Sequence, residues 1–404
     1  MKKKRILALF LAAVSCLSLA VNASAAGTTT RKATDFKDYD RTAWYAIAVS
    51  AAVDNGLLYG KSTTVIDPNG DMTRAEMAAI INRSFGCYKT ADISQYKDVA
   101  KSKWYYKDVA LAVQMGIYNG RSSSAMAPDA PISRQEAMTV VARALELDYD
   151  SYSKTDLSAF SDRSEISNWA LPYVRAMVGA DYIHGGTKGL EPLDNITRAE
   201  FAQIFHNIIG SYITVKGTYD KDIQGSVLIR TNEVMLKDMT VDGDLIIGCG
   251  AADGKITLDN VNIKGRLLVW GGGTKAVYCN NGTQMPEVVV ARVDGATKVI
   301  FDRDSTLAVI DTIKTRITER AKQNKETEII FYDVSGLRKA QKQLNAIVAG
   351  SQLSVVAPAH LYAIVGATDV KAEFTNNSKR DMNMQTTPMR TAMESATIAA
   401  QRFR

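Results

Sequence analysis

Two periods alternate along the chain. From residue 43, "AWYAIAVSAAVDNG" spaces its apolar residues as an amphipathic helix does, and Asn55-Gly56 marks a stop. A proline-broken loop of about a dozen residues follows, and "TRAEMAAIINRSFG" then opens a second helix at Thr73. Thr73 and Glu76 have the S/T-x-x-E spacing of a capping box, in which each side chain accepts from the other residue's backbone N–H. Met77, Ile80 and Ile81 form an apolar stripe behind it. The device returns at Ser133/Glu136 and at Thr197/Glu200, where Phe201, Ile204, Phe205 and Ile208 supply the stripe.

After Gly210 the period shortens to two. "EVMLKDMTVDGDLIIG" is followed at an offset of 22 by "KITLDNVNIKGRLLVWG", so that Asp238 matches Asn260, Val241 Ile263, Gly243 Gly265, Leu245 Leu267 and Ile247 Val269. Looser copies follow in "KAVYCNNGTQMPEVVVAR" and "KVIFDRDSTLAVID". Each copy reads as two short strands joined by an Asn/Asp/Gly turn. Four such coils of about twenty residues predict a β-solenoid, in which each coil buries its apolar face on the next. An antiparallel sandwich is the other reading of the same strands. Past residue 315 the pattern is mixed: "SGLRKAQKQLNAIVAG" predicts a helix stopped by Gly350, "QLSVVAP" and "LYAIVGA" short strands, and residues 371–404 a polar, flexible tail.

The helical part is a threefold repeat with a fixed frame. An aromatic precedes an aspartate by two (Phe36/Asp38, Tyr96/Asp98, Phe160/Asp162), and a tryptophan follows (Trp44, Trp104, Trp169). A glycine stands sixteen residues beyond each tryptophan (Gly60, Gly120, Gly185). Each copy ends in a proline six residues before an arginine: Pro68 and Arg74, Pro128 and Arg134, Pro192 and Arg198. The capping box accounts for the threonine or serine and for the glutamate, but not for the arginine between them. A base as first helical residue runs against the macrodipole. Two readings fit: a guanidinium aimed at a carboxylate or phosphate from outside, or an ion pair inside the fold, for which Asp38, Asp98 and Asp162 are the candidate partners.

Composition narrows the partners. The chain of 404 residues has a formal charge of +6. Lys2, Lys3, Lys4 and Arg5, an apolar run over residues 6–21 and Ala23-Ser24-Ala25 read as an export signal over residues 1–26. Its loss would remove four of the six surplus cations and leave +2, which gives no electrostatic support for nucleic acid. Three cysteines remain, too few for a disulfide framework; Cys249 and Cys279 are read as a pair if their strands stack, or as two buried thiols. His184, His206 and His360 have no metal-ligand spacing. The acids Asp238, Asp242, Asp244, Asp302 and Asp304 fall at turns, which favour Asp for backbone reasons alone.

The frame F-x-D…W…G-(I/L)-x-x-G…P…(I/M)-(T/S)-R-x-E resembles the S-layer homology (SLH) repeat of bacterial cell-surface proteins, over about residues 33–210. The resemblance implies three repeats at 33–88, 93–148 and 157–210, folded into one pseudo-threefold α-helical domain. It implies that grooves between repeats hold a secondary cell-wall polysaccharide, an anionic polymer bearing a pyruvylated amino sugar. The ligand contacts it implies are Arg74, Arg134 and Arg198, with Lys61 and Arg121 as second cations. Trp44, Trp104 and Trp169 would be groove-wall or core residues, and Asp38, Asp98 and Asp162 partly structural. Gly60, Gly120 and Gly185 would let backbone approach the sugar. The third copy departs from the frame, with Asp181 in place of a glycine and Gly186 in place of the loop cation. The groove using its loop is expected to bind weakly, with Arg198 mattering less than Arg74 or Arg134.

The expected fold is thus α + β and multidomain: the SLH trimer, a β-solenoid of parallel β-helix type over 211–315, a mixed α/β segment over 316–370 and the tail. The expected function is that of a secreted surface protein held on the cell wall by its SLH repeats. Its β-rich part would be displayed outward as a structural or adhesive module, with self-association a further expectation. No cofactor, metal, nucleic acid or membrane partner is expected after signal cleavage. The alternatives are a wall-anchored carbohydrate-active enzyme with its site on the β-helix, and a self-assembling S-layer subunit.

Overall fold

The computed structural model describes residues 31–273 and 276–332, and the backbone of 353–357 and 372–374. The export signal, the helix expected before Gly350, the strand "LYAIVGA" and most of the polar tail lie outside the described residues.

Six helices make up the three repeats: α1 (Ala46–Asp54) and α2 (Arg74–Phe85), α3 (Tyr106–Gln114) and α4 (Arg134–Ala144), α5 (Leu171–Gly179) and α6 (Arg198–Ile208). The second helix of each pair starts on the expected capping box. Glu76 N–H donates to Thr73 Oγ1 at 3.2 Å, and Thr73 N–H donates to Glu76 Oε2 at 3.0 Å. Ser133/Glu136 and Thr197/Glu200 repeat both bonds. Helix α2 ends on Gly86, whose φ of 68° is the left-handed C-cap that a side chain would strain. The second helix of one copy packs on the first helix of the next: α2 on α3, α4 on α5, and α6 back on α1. The three copies therefore close into a ring.

After α6 the chain builds two sheets, parallel at every pairing. The first runs β1 (Ser211–Ile213), β3 (Val227–Ile229), β5 (Leu245–Ile247), β7 (Arg266–Val269), β9 (Glu287–Val290) and β11 (Lys314–Ile317). The second runs β2 (Gly217–Tyr219), β4 (Val234–Val241), β6 (Ile256–Ile263), β8 (Val277–Asn280), β10 (Lys298–Phe301), β12 (Glu328–Tyr332), β13 (Leu353–Ala357) and β14 (Ala372–Phe374). The antiparallel reading is overturned, because strands β1 to β12 alternate between the sheets and each meets, in parallel, the strand two places away. The offset of 22 is the register itself: Val241 pairs with Ile263, Leu245 with Leu267, and Ile247 with Val269. Asp238 and Asn260 bend the chain at positive φ in successive turns, and Asn260 Nδ2 donates to Asp238 Oδ1 at 2.8 Å.

One expected strand is a helix. In the fourth copy "RDSTLAV" forms α7 (Arg303–Val309), because Asp302 caps it by accepting from Ser305 N–H at 2.8 Å. The parallel sheets also continue past residue 315, through β12 to β14.

Burial explains the two strand textures. The strands of the first sheet read VLI, LII, LLV and VVV because both faces are covered. Val227, Ile229, Leu245, Ile247, Leu267 and Val269 face the second sheet. Leu228, Ile246, Leu268 and Val289 point the other way, into the helical core. The β4 and β6 strands alternate buried and exposed positions, so their outer face is solvated.

The contact between ring and sheet has a polar frame. Arg230 donates to Arg83 O at 2.9 Å and Asn55 O at 2.8 Å; Arg266 donates to Leu145 O at 3.2 Å; Trp270 Nε1 donates to Ala144 O at 3.0 Å. Arg320 reaches Met115 O at 2.5 Å, and Arg316 reaches Glu146 O at the same distance. Cations of the β-region thus meet the carboxyl ends of α1 to α4, where the last carbonyls lack partners and the macrodipole is negative. Burial outweighs Arg320 and Arg316 at Glu146 and raises its carboxyl above the ordinary value.

Candidate functional site

The five-residue stretches that start at Met72, Ile132 and Ile196 meet at the ring's centre. Met72 N–H donates to Ile196 O at 2.9 Å, Ile196 N–H to Ile132 O at 3.0 Å, and Ile132 N–H to Met72 O at 3.0 Å. All three side chains are fully buried. The arginine of each copy and the residue after it bond through their N–H groups to the following copy's loop. Arg74 N–H donates to Ala130 O and Ala75 N–H to Pro128 O. Arg134 and Gln135 meet Asp194 and Pro192, and Arg198 and Ala199 meet Gly70 and Pro68. The first N–H groups of these helices are therefore spent inside the ring, and the recurrent proline marks the carbonyl that receives one.

The arginines do the same with their side chains. Arg74 donates through Nε to Met126 O at 2.9 Å, through Nη1 to Glu136 Oε1 at 2.9 Å and through Nη2 to Asn119 O at 2.9 Å. Arg198 donates to Ile66 O at 2.9 Å, Glu76 Oε1 at 2.9 Å and Tyr59 O at 2.5 Å. Arg134 donates to Leu190 O at 2.8 Å and Glu200 Oε1 at 2.7 Å. Each arginine is buried and ion-paired inside the fold. Its partner is the capping-box glutamate of the next copy rather than Asp38, Asp98 or Asp162. Reading one copy at a time misses this pair, because its members lie more than sixty residues apart.

The aspartates hold the same loop from the other side. Asp38 accepts from Ile66 N–H at 2.9 Å and Asp67 N–H at 2.7 Å. Asp98 holds Met126 and Ala127 in this way, and Asp162 holds Leu190 and Glu191. Asp67, Ala127 and Glu191 all sit at positive φ, a costly backbone that the clamp stabilises. One peptide per copy is thus fixed by its own aspartate and by the preceding copy's arginine. The glycines serve this packing: a Cβ on Gly120 would lie 2.5 Å from the Tyr96 ring, and one on Gly185 2.7 Å from Phe160. The same clash with Phe36 excludes a side chain at Gly60.

The tryptophans are not core. Trp44, Trp104 and Trp169 are 63%, 59% and 51% exposed, and the first two set an edge against Tyr45 and Tyr105.

Three junctions follow, and they differ in charge. At the first, Arg198 of the third copy and Lys61 flank Glu76, with Lys61 Nζ 2.7 Å from Glu76 Oε1. At the second, Arg74 and Arg121 flank Glu136, with Arg121 3.3 Å away. Lys61 and Arg121 have side chains 36% and 47% exposed and are the cations that solvent reaches. The third junction sets Arg134 against Glu200 with no second cation on that carboxylate among the described residues. Gly186 occupies the place, Lys188 pairs with Glu191, and Glu200 is the most exposed of the three glutamates. Two junctions set two cations on the capping-box carboxylate and the third sets one. The divergent loop therefore lies against Arg134, not Arg198, because each arginine reaches forward into the next copy. Burial would raise the Glu76 carboxyl, yet Lys61, the Thr73 N–H and Arg198 together hold it below its ordinary value.

Four of the five turn acids of the β-region have separate partners: Asp238 holds Asn260, Asp242 holds Lys264, Asp244 holds Arg266 and Asp302 caps α7. Among the described residues no cluster of three or more His, Cys, Asp or Glu side chains could hold a metal, and no helix is long and apolar enough to cross a membrane.

The S-layer homology domain family matches residues 35–78, 95–138 and 159–202. The chain carries three S-layer homology domains and is a cell-surface, cell-wall-associated protein. It is 28% identical to the Surface-layer 125 kDa protein of Lysinibacillus sphaericus over 319 residues, which is 76% of this chain and 26% of that one. It is 26% identical to the Endoglucanase of Bacillus sp. (strain KSM-635) over 51% of this chain and 22% of the enzyme. It is 27% identical to the S-layer protein sap of Bacillus anthracis over 37% of this chain and 17% of that protein. The chain thus spans about a quarter or less of the length of these relatives.

Proposed function

We propose that the SLH ring anchors this protein by binding an anionic, pyruvylated secondary cell-wall polysaccharide at the inter-repeat junctions, and that two of the three junctions bind. The observation that carries this reading is the charge asymmetry: two cations surround the capping-box carboxylate at the first two junctions, and one of each pair is exposed at the rim, where the third junction has no such cation among the described residues. Lys61 and Arg121 meet the ketal carboxylate from the rim. Arg198 and Arg74 place positive charge beneath them and fix the loop. Trp44, Trp104 and Trp169 offer exposed faces on which sugar rings stack. Gly60, Gly120 and Gly185, with Asp38, Asp98 and Asp162, hold the loops that form the site. Arg134 belongs to the junction without a rim cation and contributes least to binding.

The two parallel sheets form a solenoid of parallel β-helix type, a stacked structural module without a catalytic site of its own. The match with the Surface-layer 125 kDa protein supports this, since 319 aligned residues cannot fit within the 210 that end the third repeat. The enzyme relatives share a shorter stretch, and the scattered turn acids give no converging carboxylates. Retention on purified cell walls, with and without removal of the pyruvyl ketal, tests the anchor. Retention is expected to fall on ketal-free walls, and equal retention would sink the mechanism.

A further inference from the structure

The carboxyl end of α2 and the segment between β5 and β6 approach through glycine. Gly86 follows α2, and a Cβ there would lie 2.9 Å from Gly250 Cα. A Cβ on Gly248 would lie 2.6 Å from Phe85 O. Two free cysteines sit inside this glycine frame, Cys87 after Gly86 and Cys249 between Gly248 and Gly250. Their Sγ atoms are 3.4 Å apart although 162 positions separate them in sequence. A disulfide needs about 2.05 Å, so rotation about the Cα–Cβ bonds has little distance to close. Cys279, read from the sequence either as a partner of Cys249 or as a second buried thiol, is a free thiol buried in strand β8, in the core between the sheets. A small depression with about 10 Å³ of accessible space, lined by Cys87, Cys249, Tyr88, Lys89, Gln114 and Asp294, adjoins the pair.

We propose that Cys87 and Cys249 form a redox-responsive staple that locks the SLH ring onto the parallel-sheet region when the protein meets a small-molecule disulfide outside the membrane. Compartment chemistry supports the step, since disulfides persist at cell surfaces. One cysteine, as thiolate, attacks a sulfur of the small disulfide and releases one small thiol. The second thiolate then attacks the resulting mixed disulfide and releases the other. The protein loses two S–H bonds and two electrons, and the small disulfide is reduced to two thiols. The neighbouring Cys249 sulfur and burial push the Cys87 thiol well above its ordinary value, so exchange is slow at neutral pH and quickens in alkali.

The test uses the full chain, reduced and then exposed to glutathione disulfide at mildly alkaline pH, with alkylation under denaturing conditions and peptide mapping. The expected product is a linked peptide containing Cys87 and Cys249, with a mass loss of about 2 Da and Cys279 still alkylated. The thermal midpoint of the linked form should rise by roughly 5–10 °C, because the link closes a very long loop. Cys87→Ser and Cys249→Ser should each abolish link and shift. Two alkylated cysteines, two separate glutathione adducts, or a link that leaves the midpoint unchanged would each overturn the proposal.

Discussion

The helical ring and the parallel sheets are both built from repeats, but one closes and the other only stacks. In the ring every copy must fit the next, and the third must fit the first. Arg198 reaching Glu76 is as much part of the structure as Arg74 reaching Glu136. In the sheets each strand meets only its neighbours, so α7 can sit in the connection between β10 and β11 while both sheets continue through those strands. Closure makes a motif residue answer to a residue of another copy, whereas stacking makes it answer to the same position one coil away. The offset of 22 was therefore visible in the sequence, and the arginine–glutamate pairing was not.

The largest expected effect breaks closure. Arg198→Ala leaves carbonyls and a carboxylate without their buried partner and should cost about 3–5 kcal/mol, read by chemical denaturation. A loss no greater than at an exposed arginine would contradict closure. Next is the shared core: Ile246 points from the first sheet into the helices, so Ile246→Ala should cost about 2–4 kcal/mol. It should lower the midpoints of helical and sheet signals together; separate transitions would mean that the two regions fold independently.

Smaller effects sharpen the difference among junctions. Lys61→Ala and Arg121→Ala should each weaken wall binding by about tenfold with little change in stability, and Lys188→Ala should change neither. Binding isotherms on purified walls decide between them. The pH dependence follows from Glu76. Its folded value lies below the ordinary 4.5, so its contribution is complete above that pH and is lost as pH falls through the folded value. The stability gap between the protein and Glu76→Gln should narrow as melts are taken from pH 6 to pH 3, and a constant gap would refute the coupling. The smallest effect is a gain. Gly186 has room for a side chain, and Gly186→Lys should supply the missing cation and raise affinity severalfold.

Local rules carried much of this protein. Capping boxes, apolar stripes, the left-handed glycine after α2 and the coil register depend on residues a few positions, or one coil, apart, so the sequence by itself determined them. Tertiary structure decided which partner each arginine takes, that the tryptophans face solvent, that the divergent third loop lies against Arg134, and that Cys87 meets Cys249. Those outcomes depend on ring closure and on the docking of the sheet against helix ends. Both are set by packing between segments sixty to more than two hundred residues apart, where no local spacing constrains the choice.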